Sequence, residues 1–573
     1  MKNAKGFLRL VALSSVAACM ERAASTPEAG LSSSVVLPVP QRPIDAVDLL
    51  FAIDNSGSMR DNQLNLARNF GPLLDPLIAP PLDPGTGRPR HPPVRSLHLG
   101  VISTDLGTPG SMVPSCADSD VGDDGLLNPV RNGAATRSHP PWTTAPPNVR
   151  PARCEHRADQ YPSFLDFDVV RTDPEAFRED FVCNAYLSVG GCGLEQPLEA
   201  VYRALVVHGA GAGRGPNAGF VRDDAVLAIV VVTDEEDGSV RDCRYAEPGD
   251  PDGICREGGR GSALGVFDST DPRWASEDLN LRFYTYAPGG PQDPTWPLDR
   301  YIDPTNPRRG YLSVKPSPEL VIFSAITGVP LSLPQRPGTR DPDDPANVDW
   351  EALLGRRPDG ADGLTAMSEE GPISMRHAHR DAHCTTRVVP ACRREGTPWD
   401  PDACDTTRQY FAWPSRRVAE VARRFASFGN GTVSSICRRD YADALRRVVE
   451  RIQRRLPGRC LPRVLETLPR APRPGEPVRV NCVVRESLPR EVSAAAWCTP
   501  QRGRRPDTRD AHGRETCLIE QLPVVPGQRP LSGEGFFYDT SDREVCPQRI
   551  SFTDNAALAP GATGTIECVQ SND

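Results

Sequence analysis

The sequence predicts an α/β protein with a doubly wound, mostly parallel sheet, followed by a small β-rich region tied by disulfides. Two strongly apolar runs, which begin at Val47 and Ala225, have the composition of strands buried on both faces of a parallel sheet. Segments with helical spacing of apolar residues alternate with such runs, which is typical of βαβ units. Beyond Cys460 the helical spacing gives way to short β-type runs with several cysteines.

The N-terminus has the features of an export signal. Lys2 and Lys5 supply positive charge, and a short apolar run at 10–18 ends in small residues. The four residues VAAC that end at Cys19 resemble the lipobox of bacterial lipoproteins. This resemblance implies a signal peptide at 1–18, lipidation of Cys19, and a membrane anchor in the outer membrane or at the cell surface. Ordinary cleavage after the apolar run would instead give a secreted or periplasmic protein.

The elements of the α/β part follow a tether predicted at 19–43, which lacks periodicity. The predicted strands are at 47–53, 96–105, 225–233, 281–287 and 429–436. The predicted helices are one from Leu64 to Leu77 with a kink or stop at Pro72, and others at 194–205, 318–326, 418–428 and 441–456.

Three stretches rich in Pro, Gly and Asp interrupt this pattern, at about 106–180, 240–278 and 330–412. They predict insertions without a core of their own, so that 44–460 forms one domain. The Cys-rich region at 461–573 is predicted as a separate β-type unit.

The cysteines indicate an oxidising compartment. The chain has 17 cysteines and no CxxC pair, so the pattern does not predict zinc ribbons. It favours disulfides formed outside the cytoplasm. The net charge is −9, and no basic stripe interleaved with aromatic residues is present, which argues against a nucleic-acid partner. No nucleophile elbow or phosphate-binding loop follows a strand, so we predict a protein that is not an enzyme.

Polar residues follow the two most apolar strands directly. Asp54, Ser56 and Ser58 alternate in a tight loop after the first, and an acidic cluster at 234–237 ends the second. Because ligands of doubly wound folds bind beyond the carboxyl ends of the strands, these side chains should meet there. Carboxylate and hydroxyl oxygens suit Mg²⁺. For Asp54, Ser56 and Ser58 the alternative is an Asx or Ser turn that caps the next helix. For Glu235, Glu236 and Asp237 we predict a solvated loop rather than direct ligation of the metal.

Asp-x-Ser-x-Ser after a hydrophobic strand resembles the metal-ion-dependent adhesion site of von Willebrand factor A-type (vWA) domains. Thr233-Asp234 resembles the second aspartate strand of that family, and 428–452 resembles its last strand and helix. The resemblance implies a Rossmann-like vWA fold in which Asp54, Ser56, Ser58 and Asp234 hold the cation. It also implies that a protein or other macromolecular partner completes the coordination.

One position departs from the family pattern. Cys192 stands where the family usually has a metal-binding threonine, and a disulfide-bonded cysteine could not replace it. Glu195 or a water molecule is the candidate substitute. A different number of carboxylates would favour Ca²⁺ or Mn²⁺ over Mg²⁺.

Three hypotheses for the function follow. The leading one is a cell-envelope binding or adhesion protein that engages its partner through the metal. The second is a structural envelope protein in which the metal only stabilises the fold. The third is a zinc hydrolase with His377, His379 and His383 as ligands. The aspartates at 118, 120, 123 and 124 also resemble a calcium-binding loop in composition, although their spacing is not that of an EF-hand.

Overall fold

A computed structural model describes the chain over several ranges. These are residues 34–39, 46–79, 94–108, 111–113, 115–116, 122–128, 161–187, 189–209, 215–241, 265–268, 272, 282–284, 293–338, 347–354, 391–395, 411–453, 455, 465–469, 472–489, 492–510, 513–528, 530, 532–540, 548–553, 556, 558 and 562–569.

Strands and helices within these ranges are numbered in chain order. The strands are β1 (Ser34–Val39), β2 (Ala46–Ile53), β3 (Ser96–Ser103), β4 (Leu165–Asp168), β5 (Val226–Thr233), β6 (Val321–Thr327), β7 (Cys392–Arg393), β8 (Phe411–Ala412), β9 (Gly431–Ser435), β10 (Thr467–Leu468), β11 (Arg479–Val480), β12 (Cys482–Ser487), β13 (Arg504–Asp507), β14 (Thr516–Ile519), β15 (Phe536–Asp539), β16 (Arg549–Phe552) and β17 (Thr563–Val569). The α-helices are α1 (Arg60–Arg68), α2 (Phe70–Ile78), α3 (Pro174–Ala185), α4 (Pro197–Tyr202), α5 (Trp350–Leu354), α6 (Arg416–Ala426), α7 (Ala442–Gln453) and α8 (Ala494–Trp497). Shorter helical turns are Gly57–Met59, Arg203–Val207, Leu298–Arg300, Gly310–Val314 and Pro318–Leu320.

The central sheet has six strands in the order β4-β3-β2-β5-β6-β9. All neighbouring pairs are parallel except β4, which runs antiparallel to β3 at one edge. Every residue of β2 and of β5 is buried, as expected for continuous apolar strands covered on both faces. The prediction of a mixed α/β protein with a mostly parallel sheet is therefore confirmed.

Helices cover both faces of this sheet, and β2 shows how one strand serves two cores. Leu49 and Phe51 face a core shared with α2, α3 and α7. Leu50 and Ala52 face the opposite core, shared with α4, α5 and α6. Because side chains of a strand alternate between faces, an unbroken apolar run is what such a strand requires.

The fifth strand of the sheet differs from the sequence prediction. The segment 318–326 was predicted as a helix, but it forms a short turn and then β6, which is buried throughout. At 281–287, predicted as a strand, the described residues 282–284 lie in a turn and not in a strand. A short apolar run does not reveal by periodicity whether it is helix or strand. Here the β-branched residues Val321, Ile322 and Ile326 suit the pleated surface.

The first predicted helix is two helices. The helix is interrupted at Asn69, which lies between α1 and α2. The N–H of Asn69 still donates to Asn65 O at 3.2 Å. Pro72 therefore falls in the first turn of α2, where a missing N–H costs little.

Part of the predicted insertion at 106–180 belongs to the core. Its residues Leu165–Asp168 form the edge strand β4, and α3 begins at Pro174. Phe167 and Phe177 are buried against the same core as β2. This part of the predicted insertion therefore supplies an edge strand and a helix of the α/β sheet domain. A four-residue strand carries too short a pattern to be recognised alone.

The C-terminal region contains the expected short strands. An antiparallel sheet has the order β1-β17-β12-β14-β13. β1 lies inside the stretch predicted as a flexible tether, so that part of the tether is paired with the last strand. Disulfides Cys482–Cys568 and Cys498–Cys517 join residues of this region.

Two further disulfides between described cysteines, Cys116–Cys192 and Cys392–Cys437, lie in the α/β part. The prediction that cysteines form disulfides is confirmed for these four pairs. Within the described residues, the helices are too short or too polar to cross a membrane.

Candidate metal centre

The loop after β2 begins the candidate site. The N–H of Asp54 donates to Val232 O at 2.9 Å, so that Asp54 stays tied to β5 beyond the end of its own strand. The Asp54 carboxylate, fully buried, accepts hydrogen bonds from Ser56 N at 2.8 Å and from Thr233 Oγ1 at 2.7 Å. The first bond closes an Asx-type turn. However, no side chain caps the turn Gly57–Met59 or α1, so the helix-capping alternative is not what the loop does.

The other predicted ligands meet at this point. Ser56 Oγ and Ser58 Oγ are 3.0 Å apart, and Ser58 Oγ donates to Asp234 Oδ1 at 3.0 Å. Asp234 follows β5 directly and is 4% exposed. The structure thus brings together Asp54, Ser56, Ser58 and Asp234 at the carboxyl ends of two neighbouring parallel strands.

Glu195 reaches the same place from the loop before α4. It is 1% exposed, its Oε2 accepts the hydroxyl of Thr104, and its Oε1 has no hydrogen-bond partner in the described part of the chain. The backbone of this loop is held on both sides, since Gln196 N donates to Thr104 O at 3.0 Å and Gly238 N donates to Glu195 O at 2.7 Å.

Burial and mutual repulsion disfavour the ionised forms of the carboxyl groups in the site. Burial raises the pKa of Asp54, and hydrogen bonds from Ser56 and Thr233 offset only part of that rise. Burial and then the charge of Asp54 raise the pKa of Asp234 well above its ordinary value. Burial, followed by the charges of Asp54 and Glu235, does the same to the pKa of Glu195. A nearby cation would reverse these effects because it favours the ionised forms.

Cys192 lies behind this loop and is fully buried in its disulfide with Cys116. Its N–H donates to Asp105 Oδ2 at 2.9 Å. The sulfur atom of Cys192 is thus held in a disulfide and is not available as a metal ligand.

Glu236 and Asp237 have a different role from the one predicted. They are 5% and 0% exposed, so the prediction of a solvated loop is wrong for both. Arg416 Nε donates to Glu236 Oε2 and Arg417 Nε donates to Asp237 Oδ2, each at 2.8 Å. These buried ion pairs anchor the turn after Asp234 to the start of α6.

Several other candidates do not gather into a site. Asp123 accepts from Ser103 Oγ at 2.6 Å, whereas Asp124 pairs with Arg203 and His208, so the two aspartates of the suggested calcium loop serve different partners. The other two aspartates of that loop and four further predicted positions lie outside the described residues; these are Asp118, Asp120, His377, His379, His383 and Cys19.

Two hydroxyl residues of the site were not predicted as functional. Thr233 binds the Asp54 carboxylate and Thr104 binds that of Glu195. Both lie where a parallel strand ends. The run of polar residues directly after β3 could have identified Thr104 as a candidate site residue.

The donor set suits a hard divalent cation, since it consists of carboxylate and hydroxyl oxygens. Among the described residues, no three acidic, histidine or cysteine side chains lie close enough together to hold a metal by themselves. A cation here would therefore also need the serine hydroxyls and water. No protein-family model, curated protein or solved structure matches this chain.

Proposed function

We propose that this protein is a cell-envelope binding protein, not an enzyme, that engages a protein or other macromolecular partner through a divalent cation in a vWA-type domain. The observation that carries the proposal is the convergence of Asp54, Ser58 and Asp234. Ser56 N binds the buried Asp54 carboxylate, Ser58 Oγ binds the buried Asp234 carboxylate, and the two serine hydroxyls lie 3.0 Å apart. These groups meet at the carboxyl ends of two parallel strands, where doubly wound folds bind ligands.

The surroundings of the three carboxylates support this proposal. Among the described residues, no Lys, Arg or His side chain forms an ion pair with Asp54, Asp234 or Glu195. Buried carboxylates are costly unless they are paired or coordinate a metal. The side chains in place would hold Mg²⁺ best, with Mn²⁺ or Ca²⁺ as alternatives.

The site also has an open side. Gly57 and Ser58 are exposed, although Asp54 and Ser56 next to them are buried. Mg²⁺ usually keeps several water ligands, and a bound cation would offer such a position to a carboxylate or other polar group of the partner. A buried cation without this opening would support only the second hypothesis, in which the metal merely stabilises the fold.

The proposal includes export and a lipid anchor at Cys19, supported by the lipobox-like sequence and by the disulfides. Without lipidation the protein would be secreted or periplasmic. Cys19 and the histidines of the zinc-hydrolase alternative lie outside the described residues.

Calorimetric titration of Mg²⁺, Mn²⁺ and Ca²⁺ into the oxidised, metal-free protein tests the metal site. We expect saturable binding at one site in the wild type and none in Asp54→Ala. Equal binding by both proteins, or binding by neither, would refute the proposal. If metal binds, surface-retention assays with and without chelator separate the first two hypotheses, because only an adhesion site loses a partner when the metal is removed.

A further inference from the structure

The inference concerns Glu195 and rests on the proposed function. Its carboxylate is almost fully buried, and only one of its two oxygens is satisfied. A buried polar atom without a partner costs about 1–3 kcal/mol, so such an atom in a folded protein needs an explanation.

The surroundings of Glu195 show that the unsatisfied oxygen belongs to the site. Gly238 N, four residues after Asp234, donates to Glu195 O at 2.7 Å, which holds Glu195 beside the end of β5. After burial, the charge of Asp54 is the first charge that raises the pKa of Glu195. Thr104 fixes the other oxygen, which leaves Oε1 as the atom that can turn toward a ligand. Glu195 thus approaches Asp54 from a different loop than Ser58 and Asp234 do.

We propose that Glu195 contributes Oε1 as a third carboxylate donor to the cation held by Asp54 and Asp234, in place of the missing threonine hydroxyl. The three carboxylates are not gathered tightly enough to form a three-acid group by themselves. The Glu195 side chain therefore turns about its flexible bonds when the cation arrives, while its backbone stays fixed by Thr104 and Gly238.

The disulfide explains why a glutamate can act at this position. Cys192 is three residues before Glu195 and is fixed both by Cys116 and by the bond from its N–H to Asp105. Gly191 N also donates to Asn55 O at 3.0 Å, which ties the same loop to the Asp54 loop. The loop backbone therefore does not need a metal ligand at position 192 to stay in place.

Calorimetric titration of Mn²⁺ into the full oxidised chain tests the assignment with Glu195→Gln, an isosteric change that keeps an acceptor for Thr104. Loss of a ligand should weaken Mn²⁺ binding by at least about 10-fold, the lower end of the effect of outer-shell substitutions. Glu199→Gln is the matched control, because this buried glutamate lies one turn further on and pairs with Arg300 instead. We expect unchanged Mn²⁺ affinity in the control.

A second readout distinguishes a ligand from a residue that only positions Asp54. Electron–nuclear double resonance of bound Mn²⁺ should count about one more exchangeable water in Glu195→Gln than in the wild type, because water fills a vacated ligand position. Thr104→Val, which frees Oε2 without removing a carboxylate, should weaken binding less than Glu195→Gln and leave the water count unchanged.

Unchanged or tighter Mn²⁺ binding by Glu195→Gln, with binding abolished by Asp54→Ala, would overturn the role of Glu195 and leave the proposed function standing. Weaker binding with an unchanged water count would also overturn the ligand assignment. No binding by the wild type would refute the proposed function itself.

Discussion

The strand β2 begins and ends beside a buried aspartate, and the two aspartates have opposite surroundings. Asp48, near the start of the strand, is fully buried and accepts hydrogen bonds from Lys315 Nζ at 2.8 Å and Arg222 Nε at 2.7 Å. Asp54, just past the end, is equally buried but lies near Asp234 and Glu195. One carboxylate faces cations and the other faces carboxylates.

This contrast separates a structural ion pair from a candidate site. Asp48 is paired with two basic side chains, and Lys315 also donates to the backbone oxygen of Arg222. Among the described residues, no basic side chain forms an ion pair with Asp54, Asp234 or Glu195, and burial raises the pKa of each of these carboxyl groups. Buried carboxylates without a basic partner are expected at functional sites, where a ligand supplies the positive charge. The carboxylate that needs explaining is therefore Asp54 and not Asp48.

The largest expected effect comes from the end of β2 at which Asp48 is ion-paired. Asp48→Asn removes the charge that pairs with Lys315 and Arg222 and leaves two cations with weaker partners in the interior. We expect a loss of about 3 kcal/mol in the free energy of unfolding, because breaking a buried pair on one side costs about 3–5 kcal/mol. Urea titration followed by the helical circular dichroism band would measure it. A loss below about 1 kcal/mol would contradict the structural role of the pair.

The same substitution at the other end should have the opposite sign. Asp54→Asn removes a buried charge that is repelled by Asp234 and keeps an acceptor for Ser56 N. We expect the metal-free protein to gain about 1–2 kcal/mol in unfolding free energy, since an unpaired buried charge is costly. Urea titration in the presence of chelator is the measurement. Destabilisation equal to that of Asp48→Asn would remove the distinction between the two ends.

A half-buried carboxylate that pairs with an arginine and a histidine should give an intermediate, pH-dependent effect. Burial alone would raise the pKa of Asp124, but hydrogen bonds from His208 and Arg203 lower it below the ordinary value. An aspartate with a lowered pKa stabilises the fold fully above its unfolded pKa of about 3.9, and this stabilisation is lost as the pH falls through the folded pKa.

We therefore expect Asp124→Asn to cost about 1 kcal/mol at neutral pH, a cost that shrinks below about pH 4. Asparagine should fit the backbone at this position, because Asp124 has a φ of 55° and asparagine tolerates this left-handed conformation. Unfolding midpoints of both proteins across an acid pH series would check it. A cost independent of pH would show that the ion pairs do not contribute.

The smallest effect belongs to a surface ion pair. Arg446 pairs with Asp443 and Glu450 along α7, but its side chain is 52% exposed. Arg446→Ala should change the unfolding free energy by less than about 0.5 kcal/mol, since solvent screens exposed pairs. A loss above about 1 kcal/mol would mean that exposure is a poor guide to the value of charges in this protein.

The parts of the fold that the sequence predicted are those with strong local patterns. β2 and β5 were recognisable because their apolar runs are long and end abruptly in polar residues. β6 was mistaken for a helix because a short apolar run fits both, and only the neighbouring strands decide between them. β4 is an edge strand whose identity comes from pairing with β3 and not from its own four residues.

The candidate site shows the same limit. Asp54, Ser56, Ser58 and Asp234 were predicted from a local motif and its strands, and the structure places them together. The ion pairs that fix the turn after Asp234 could not be predicted, because Glu236 and Arg416 are 180 residues apart in the chain. No local pattern distinguishes a carboxylate that will meet an arginine from one that will meet another carboxylate.

The most direct test of whether Asp54, Asp234 and Glu195 form a cation site is thermal unfolding. The wild type and Asp54→Asn are compared with chelator and with saturating Mg²⁺, Mn²⁺ or Ca²⁺. A ligand at 100 times its dissociation constant adds about 2.7 kcal/mol to the stability of the state that binds it. We expect at least one cation to raise the unfolding midpoint of the wild type and to leave that of Asp54→Asn unchanged. Equal shifts in both proteins, or no shift in the wild type with any of the three cations, would contradict it.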